Sequence, residues 1–178
     1  MRKTGRLQAE TGTRLVPVDP SLTPAMNAVK DADAVADALV SCSLPKAEWT
    51  HEAHVRAGLS LVLRLGAEAA LGTLREAIPR YNEHTNTPNS DAGGYHDTLT
   101  VYYVWAIDEL LRRGVSPENI VDNELVSRTA PLQFWTKDEL FSVGARRHWV
   151  APTVHSTTEG RPLPAHPFGL RPHSSSGD

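Results

Sequence analysis

Apolar residues recur at three- and four-residue steps through the middle of the chain, and no pair of alternating segments reads as strands. Val29, Ala32, Val35, Ala36 and Leu39 mark a first helix, from about Ala25 to near Ser41. After a connector carrying Pro45, a second helix starts at Thr50, whose hydroxyl can accept from an orphan N–H, and stops at Gly66. Glu52, Arg56, Ser60 and Arg64 fall four residues apart and form its polar stripe, with Glu52 in water and in the favourable order to pair with Arg56. His51, His54, Val55, Gly58, Leu61, Val62 and Leu65 lie opposite, so the pattern predicts that both histidines face the core. Gly58 on that inner face predicts close approach of another element.

A third stripe follows in Ala67, Ala70, Leu71, Leu74, Ala77, Ile78 and Tyr81. Pro79 lies inside it, and the missing backbone donor predicts a kink or a stop near Ile78. Residues 82–94 are turn chemistry throughout and make a long loop of the kind that often carries function. Leu99, Tyr102, Tyr103, Ala106, Ile107, Leu110 and Leu111 predict a fourth helix from about Tyr95 to Arg113, ended by Gly114. Pro117 to Ser127 reads as a shorter, weaker helix. Thr136 and Glu139 form a capping box, with Trp135 and Leu140 as the matching staple, so a last helix should run from Lys137 to near Arg147. The sum is an all-α fold: one compact bundle of five or six helices over residues 25–150, with a flexible arm at 1–24 and a disordered tail at 151–178.

A chain of 178 residues can bury such a core without staples. The net charge of −3 and the scattered basic residues argue against nucleic acid as partner, and no run approaches the roughly 18 apolar residues of a membrane span. Arg2, Lys3 and Arg6 have no apolar run behind them, so no secretory signal is read, and the lone Cys42 excludes an intrachain disulfide. A cytoplasmic location is the expectation.

The chemistry-bearing residues gather at two helix starts, Trp49-Thr50-His51-Glu52-Ala53-His54 and Gly93-Gly94-Tyr95-His96-Asp97-Thr98. His51 and His54 are three apart, so their rings can converge, and His96 can join them from the fourth helix. Three inward imidazoles suit a divalent metal such as zinc, iron or copper, or acid–base catalysis near neutral pH. His54 sits at the fourth helical position and can instead simply pack on Trp49. Tyr95, Thr98, Thr100 and Tyr103 are expected to orient the histidines or a small-molecule ligand. Tyr81, Asn82 and Glu83 border the same end of the bundle and are expected to contact the ligand, with Glu83 the best nearby candidate for a carboxylate ligand or base. Asp97, about 100° round the helix from His96, is expected on an exposed face. His84 reads as solvent-facing, His148 as solvent-facing or a helix-end cation, and His155, His166 and His173 have no spacing that suggests a site.

The expected function is a small-molecule enzyme, with hydrolysis, lyase chemistry and oxygenation all open. A non-catalytic ligand-binding or interaction protein is the competing class. A further alternative comes from the order His51 or His54, then His96-Asp97, then Asp108 or Asp122, which parallels the H…HD…D order of the all-helical HD metal phosphohydrolases.

Trp49-Thr50-His51-Glu52-Ala53-His54, then Tyr81-Asn82-Glu83, then Asn89 and Gly94-Tyr95-His96-Asp97-Thr98-Leu99-Thr100, taken jointly, resemble a family of small uncharacterised bacterial helical proteins. Its members carry W-T-H-x-A-H, Y-N-E and G-Y-H-E-T-x-T in this order, and the likeness extends over residues 45–152 through Leu140-Phe141-Ser142, Ala145-Arg146 and Trp149-Val150. The resemblance implies a shared site at His51, His54, His96, Thr98 and Thr100, and no reaction. The chain departs from that pattern in Asp97 for Glu, in Pro79, and in Asn86 for a Gly, which Asn can replace in a left-handed turn.

Overall fold

In the computed structural model, residues 23–153 and 167–169 are described. Among them are six α-helices and no strand: α1 (Thr23–Val40), α2 (His51–Leu65), α3 (Ala67–His84), α4 (Asp97–Arg112), α5 (Lys137–Leu140) and α6 (Val143–Arg147). None is long and apolar enough to cross a membrane.

The four long helices form the bundle. Helix α2 packs against α1, α3 and α4, so its apolar positions lie at the centre. Leu39 of α1, Val55 and Leu59 of α2, Leu71 and Leu74 of α3, and Val101, Tyr102 and Ile107 of α4 are all buried. Each such side chain contributes about 1.5–3 kcal/mol of transfer free energy. The polar stripe of α2 serves two purposes. Glu52 is exposed and takes both Nε (2.9 Å) and Nη2 (2.7 Å) of Arg56. Ser60, one turn on, is buried against α1 and donates to Asp33 at 2.6 Å, and Arg64 reaches Asp37 at 2.7 Å. Half of the stripe is therefore the seam with α1. Gly58 marks a close approach as its position predicts, since an added Cβ would lie 2.9 Å from Ile107 Cδ1 of α4.

Several boundaries differ from the sequence reading. Thr23 and Pro24, expected in the arm, begin α1. Pro79 neither stops nor shortens α3, which continues to His84. Proline in a helix interior costs about 3 kcal/mol, and the residues beyond it offset this, because Tyr81 and Asn82 are buried. Asn86 then takes the left-handed conformation (φ 54°), and the Thr87 N–H closes on the Asn82 carbonyl at 2.7 Å. The helix expected over 117–127 is replaced by short 3-10 turns at Pro117–Asn119 and Glu124–Val126, followed by a third at Ala130–Gln133. The last helix is split in two. The Thr136–Glu139 capping box forms, but Ser142 caps a second start by accepting from the Ala145 N–H at 3.2 Å, which ends α5 at Leu140.

Most of 1–24 and of 151–178, with His155, His166 and His173, lies outside the described residues. Of the expected tail, Thr153 donates to Phe134 O (3.1 Å) and to Glu139 Oε2 (2.6 Å), and Phe168 packs on the core.

Candidate functional site

A cavity of about 540 Å³ opens at the end of the bundle where α2 and α4 begin. Its wall takes Trp49, Thr50, His51, His54 and Gly58 from the α2 side, Leu74, Ile78 and Asn82 from α3, and Gly94, Tyr95, His96, Leu99, Thr100, Tyr103, Val104 and Ile107 from the loop and α4. Thr87 and Arg128 complete it. All three sequence-predicted histidines border one space, and no aspartate or glutamate does.

The three imidazoles are held in different ways. Thr50 caps α2, its hydroxyl accepting from the Ala53 N–H at 3.2 Å, so His51 and His54 are free of capping duty. His51 Nε2 donates to Val126 O at 2.8 Å, and its ring meets Tyr103 edge-on at 5.2 Å. A carbonyl only accepts, so Nε2 carries the hydrogen and Nδ1 is left over. His54 stacks on Trp49 with centroids 3.7 Å apart, the packing its place in the helix suggested. Its Nδ1 donates to Thr50 O at 2.5 Å, and its Nε2 has no hydrogen bond to the described residues. His54 is open to the cavity while protein crowds its other sides. Although the side chain is exposed, desolvation by the protein packed round the ring holds its pKa down, to about 4, and His51 and Arg128 oppose a positive charge further. It is a neutral imidazole at neutral pH.

His96 is a correction. It is not a first-turn residue of α4 but its N-cap, and it is buried. Nδ1 accepts from the Leu99 N–H at 3.3 Å and Nε2 donates to Leu140 O at 2.9 Å. Both bonds require the neutral Nε2–H tautomer, and burial likewise lowers its pKa. No nitrogen remains on His96 for a metal or a proton transfer. That leaves His51 Nδ1 and His54 Nε2, two donors where zinc sites use three or four protein ligands. Among the described residues no three His, Cys, Asp or Glu side chains are grouped to hold an ion.

Of the other expected site residues, Asn82, Tyr95, Thr100 and Tyr103 line the cavity, whereas Tyr81, Glu83 and Thr98 do not. Tyr81 is buried behind the wall, edge-on to Trp49 at 5.5 Å. Glu83 is exposed on the turn of α3 that leaves the site. Thr98 is fully buried and clasps the closing segment, donating to His148 O at 2.8 Å and accepting from the Val150 N–H at 3.1 Å. Asp97 was expected in water, yet it is buried: Arg75 grips both its oxygens at 2.8 Å and the Tyr95 hydroxyl donates to it at 2.8 Å. Desolvation and this carboxylate hold the Tyr95 hydroxyl well above the usual phenol range. With His96 and Asp97 both engaged, the H…HD…D order gains no ligand pair.

The rim is built from the 85–96 connection, shorter at its start than the expected 82–94 loop because α3 runs on to His84. Asn89 donates to Pro79 O at 3.0 Å, and its Oδ1 accepts from Asn82 Nδ2 (2.9 Å) and the Tyr95 N–H (3.1 Å). Gly94 passes so close beneath it, at φ 79°, that a Cβ would lie 2.4 Å from Pro88 O.

Arg128 is the site residue that the pattern did not reveal. It follows three consecutive carbonyls that ring donors hold in place. Tyr102 Oη donates to Leu125 O (2.9 Å), His51 Nε2 to Val126 O (2.8 Å) and Tyr103 Oη to Ser127 O (3.1 Å). Those three bonds fix an aperiodic segment and set its next side chain at the cavity wall. Comparisons of the chain with protein-family models, with curated proteins and with solved structures returned no match.

Proposed function

We propose that this cavity binds a small molecule and that His54, with His51 beside it, does acid–base work on it. The observation that supports this reading is the free nitrogen of a neutral His54, anchored through its other nitrogen and open to the cavity. Ring and tautomer are held by the stack on Trp49 and the bond to Thr50 O, so the lone pair needs no reorganisation to meet a ligand. Arg128, Tyr103 and Thr100 supply polar contacts, and the apolar side chains of α3 and α4 exclude water from the remainder. His96 serves by capping α4, not by reacting.

One observation favours a binding protein without turnover. An imidazole held near 4 is a weak base at neutral pH. A diverse set of small molecules, screened by ligand-observed NMR with the His ring resonances followed in parallel, tests both readings. Ligands that shift His54 and His51 while leaving His148 unmoved are expected. A screen without such a ligand overturns the site. Conversion of a bound ligand by the wild type, lost in His54→Ala, supports the enzyme; binding with no conversion supports the binder.

A further inference from the structure

The structure points to the chemical class of the ligand, and this step rests on the cavity being a small-molecule site. We propose that the ligand is a carboxylate on an apolar body, with Arg128 holding the carboxylate beside His54.

The charge inventory carries the proposal. Arg128 is the permanently charged cation at the wall, and no carboxylate lines the cavity to neutralise it. Every other arginine among the described residues holds a carboxylate or a backbone carbonyl of this chain. Arg128 has neither an ion pair nor a hydrogen bond to the described residues. Its side chain is exposed at the wall, and its backbone is held there, since three side chains fix the carbonyls immediately before it. A guanidinium left unpaired at a pocket wall presents a planar fork that matches the two oxygens of a carboxylate. The start of α2 borders the same space and adds the positive end of a helix dipole.

The neighbours fit one negative charge. A single guanidinium with neutral imidazole and hydroxyl groups balances a monoanion, while a phosphate dianion calls for more cations than the wall provides. Leu74, Ile78, Leu99 and Ile107 give the remainder of the ligand an apolar seat. An anion beside His54 also favours its protonated form, so binding is coupled to proton uptake. The charged and titratable groups facing His54 are His51 on its own helix and Arg128 opposite, both of which disfavour that proton in the empty cavity.

The test uses the full chain and calorimetric titration with hexanoate, hexanamide, hexylamine and hexyl phosphate. Hexanoate should bind at least about tenfold more tightly than the amide, a difference of about 1.4 kcal/mol. Arg128→Gln should bring the two to parity while circular dichroism and melting stay those of the wild type. Titration of hexanoate in two buffers of different ionisation enthalpy at about pH 6 should show proton uptake, absent in His54→Phe. Equal binding of acid and amide, or an unchanged preference in Arg128→Gln, overturns the assignment and leaves the small-molecule cavity standing. Tighter binding of hexyl phosphate than of hexanoate overturns the carboxylate in favour of a phosphate monoester. If no probe of any charge binds, the cavity reading fails and the inference with it.

Discussion

Helices α2 and α4 begin alike in sequence and differently in structure. Each start carries an aromatic residue immediately before the cap, Trp49 and Tyr95, and a histidine close to it. In α2 a threonine hydroxyl caps the helix, and His54, one turn in, keeps a nitrogen for the cavity. In α4 the histidine is itself the cap, and a second bond to Leu140 O takes its remaining nitrogen. Whether a histidine at a helix start is available for chemistry thus depends on which residue satisfies the orphan N–H groups. A hydroxyl at the cap frees the imidazole, and an imidazole at the cap becomes part of the scaffold.

The substitution that separates the two starts most strongly is His96→Ala. It removes a cap, worth about 0.5–2 kcal/mol, and leaves the Leu140 carbonyl without its partner, a further 1–3 kcal/mol or so. Urea unfolding should show a loss of about 2–4 kcal/mol. His96→Asn should recover the cap share only, because Asn is a good cap but cannot reach Leu140 as an imidazole does. A stable His96→Ala variant that loses ligand binding would reverse the roles given to the two histidines. Next in size is Asp97→Asn, which weakens the grip of Arg75 and Tyr95 at the same helix start. Breaking a fully buried pair costs about 3–5 kcal/mol. Arg75 is about a third exposed, which reduces the expected loss to about 2 kcal/mol.

The same comparison shows what the sequence makes legible. The four long helices follow from apolar periodicity, and Thr50, Gly58, Asn86 and the Thr136–Glu139 box each signal a local geometry that forms. Convergence of His51, His54 and His96 on one space is also readable, because all three lie within a turn of the starts of two apolar helices. The roles of these histidines are not, because a cap is decided by φ and ψ at one residue, and His96, inside the helix that periodicity assigned, sits one position outside the helix that forms. Asp97 shows the limit of helical arithmetic. Asp97 stays off the cavity wall that His96 lines, but it is not in water, because its burial depends on a partner, Arg75, from another helix. Arg128 lies in a stretch with no period at all, and only tertiary bonds to the carbonyls before it bring it to the wall.

His54→Ala should cost about 1 kcal/mol, since it removes one ring stack and one local hydrogen bond at a position open to the cavity. Its larger effect should be on ligand binding, the opposite balance to His96→Ala. The two histidines share a pH signature. Each has a folded pKa below its ordinary value, so an unfolded chain takes up a proton before the folded one does. Stability from this source is complete above about 6.5 and falls as the pH drops through 6.5, and for His54 continues to fall to about 4. Urea midpoints measured across this window should decline toward acid, and the decline should be shallower in His54→Ala. A midpoint that rises as the pH falls through the window would contradict the neutral state of both rings.

The smallest effect on stability is expected for Gly58→Ala, and it probes the depth of the site between the two helix starts. The new methyl meets Ile107 Cδ1 at 2.9 Å, which is the tip of a flexible side chain and can turn aside. Alanine also gains about 1 kcal/mol of helix propensity over glycine, so the net change in unfolding free energy should stay within about 0.5 kcal/mol of zero. The methyl and the displaced Ile107 side chain both enter the cavity, which Gly58 and Ile107 line. Ligands with a long apolar body should lose affinity by roughly tenfold, nearly two methylenes' worth of burial. A short acid such as acetate, held at Arg128 and His54, should be unaffected. Equal losses for both would place the contact of α2 with α4, not the depth of the cavity, in control of how the α2 start presents its histidines.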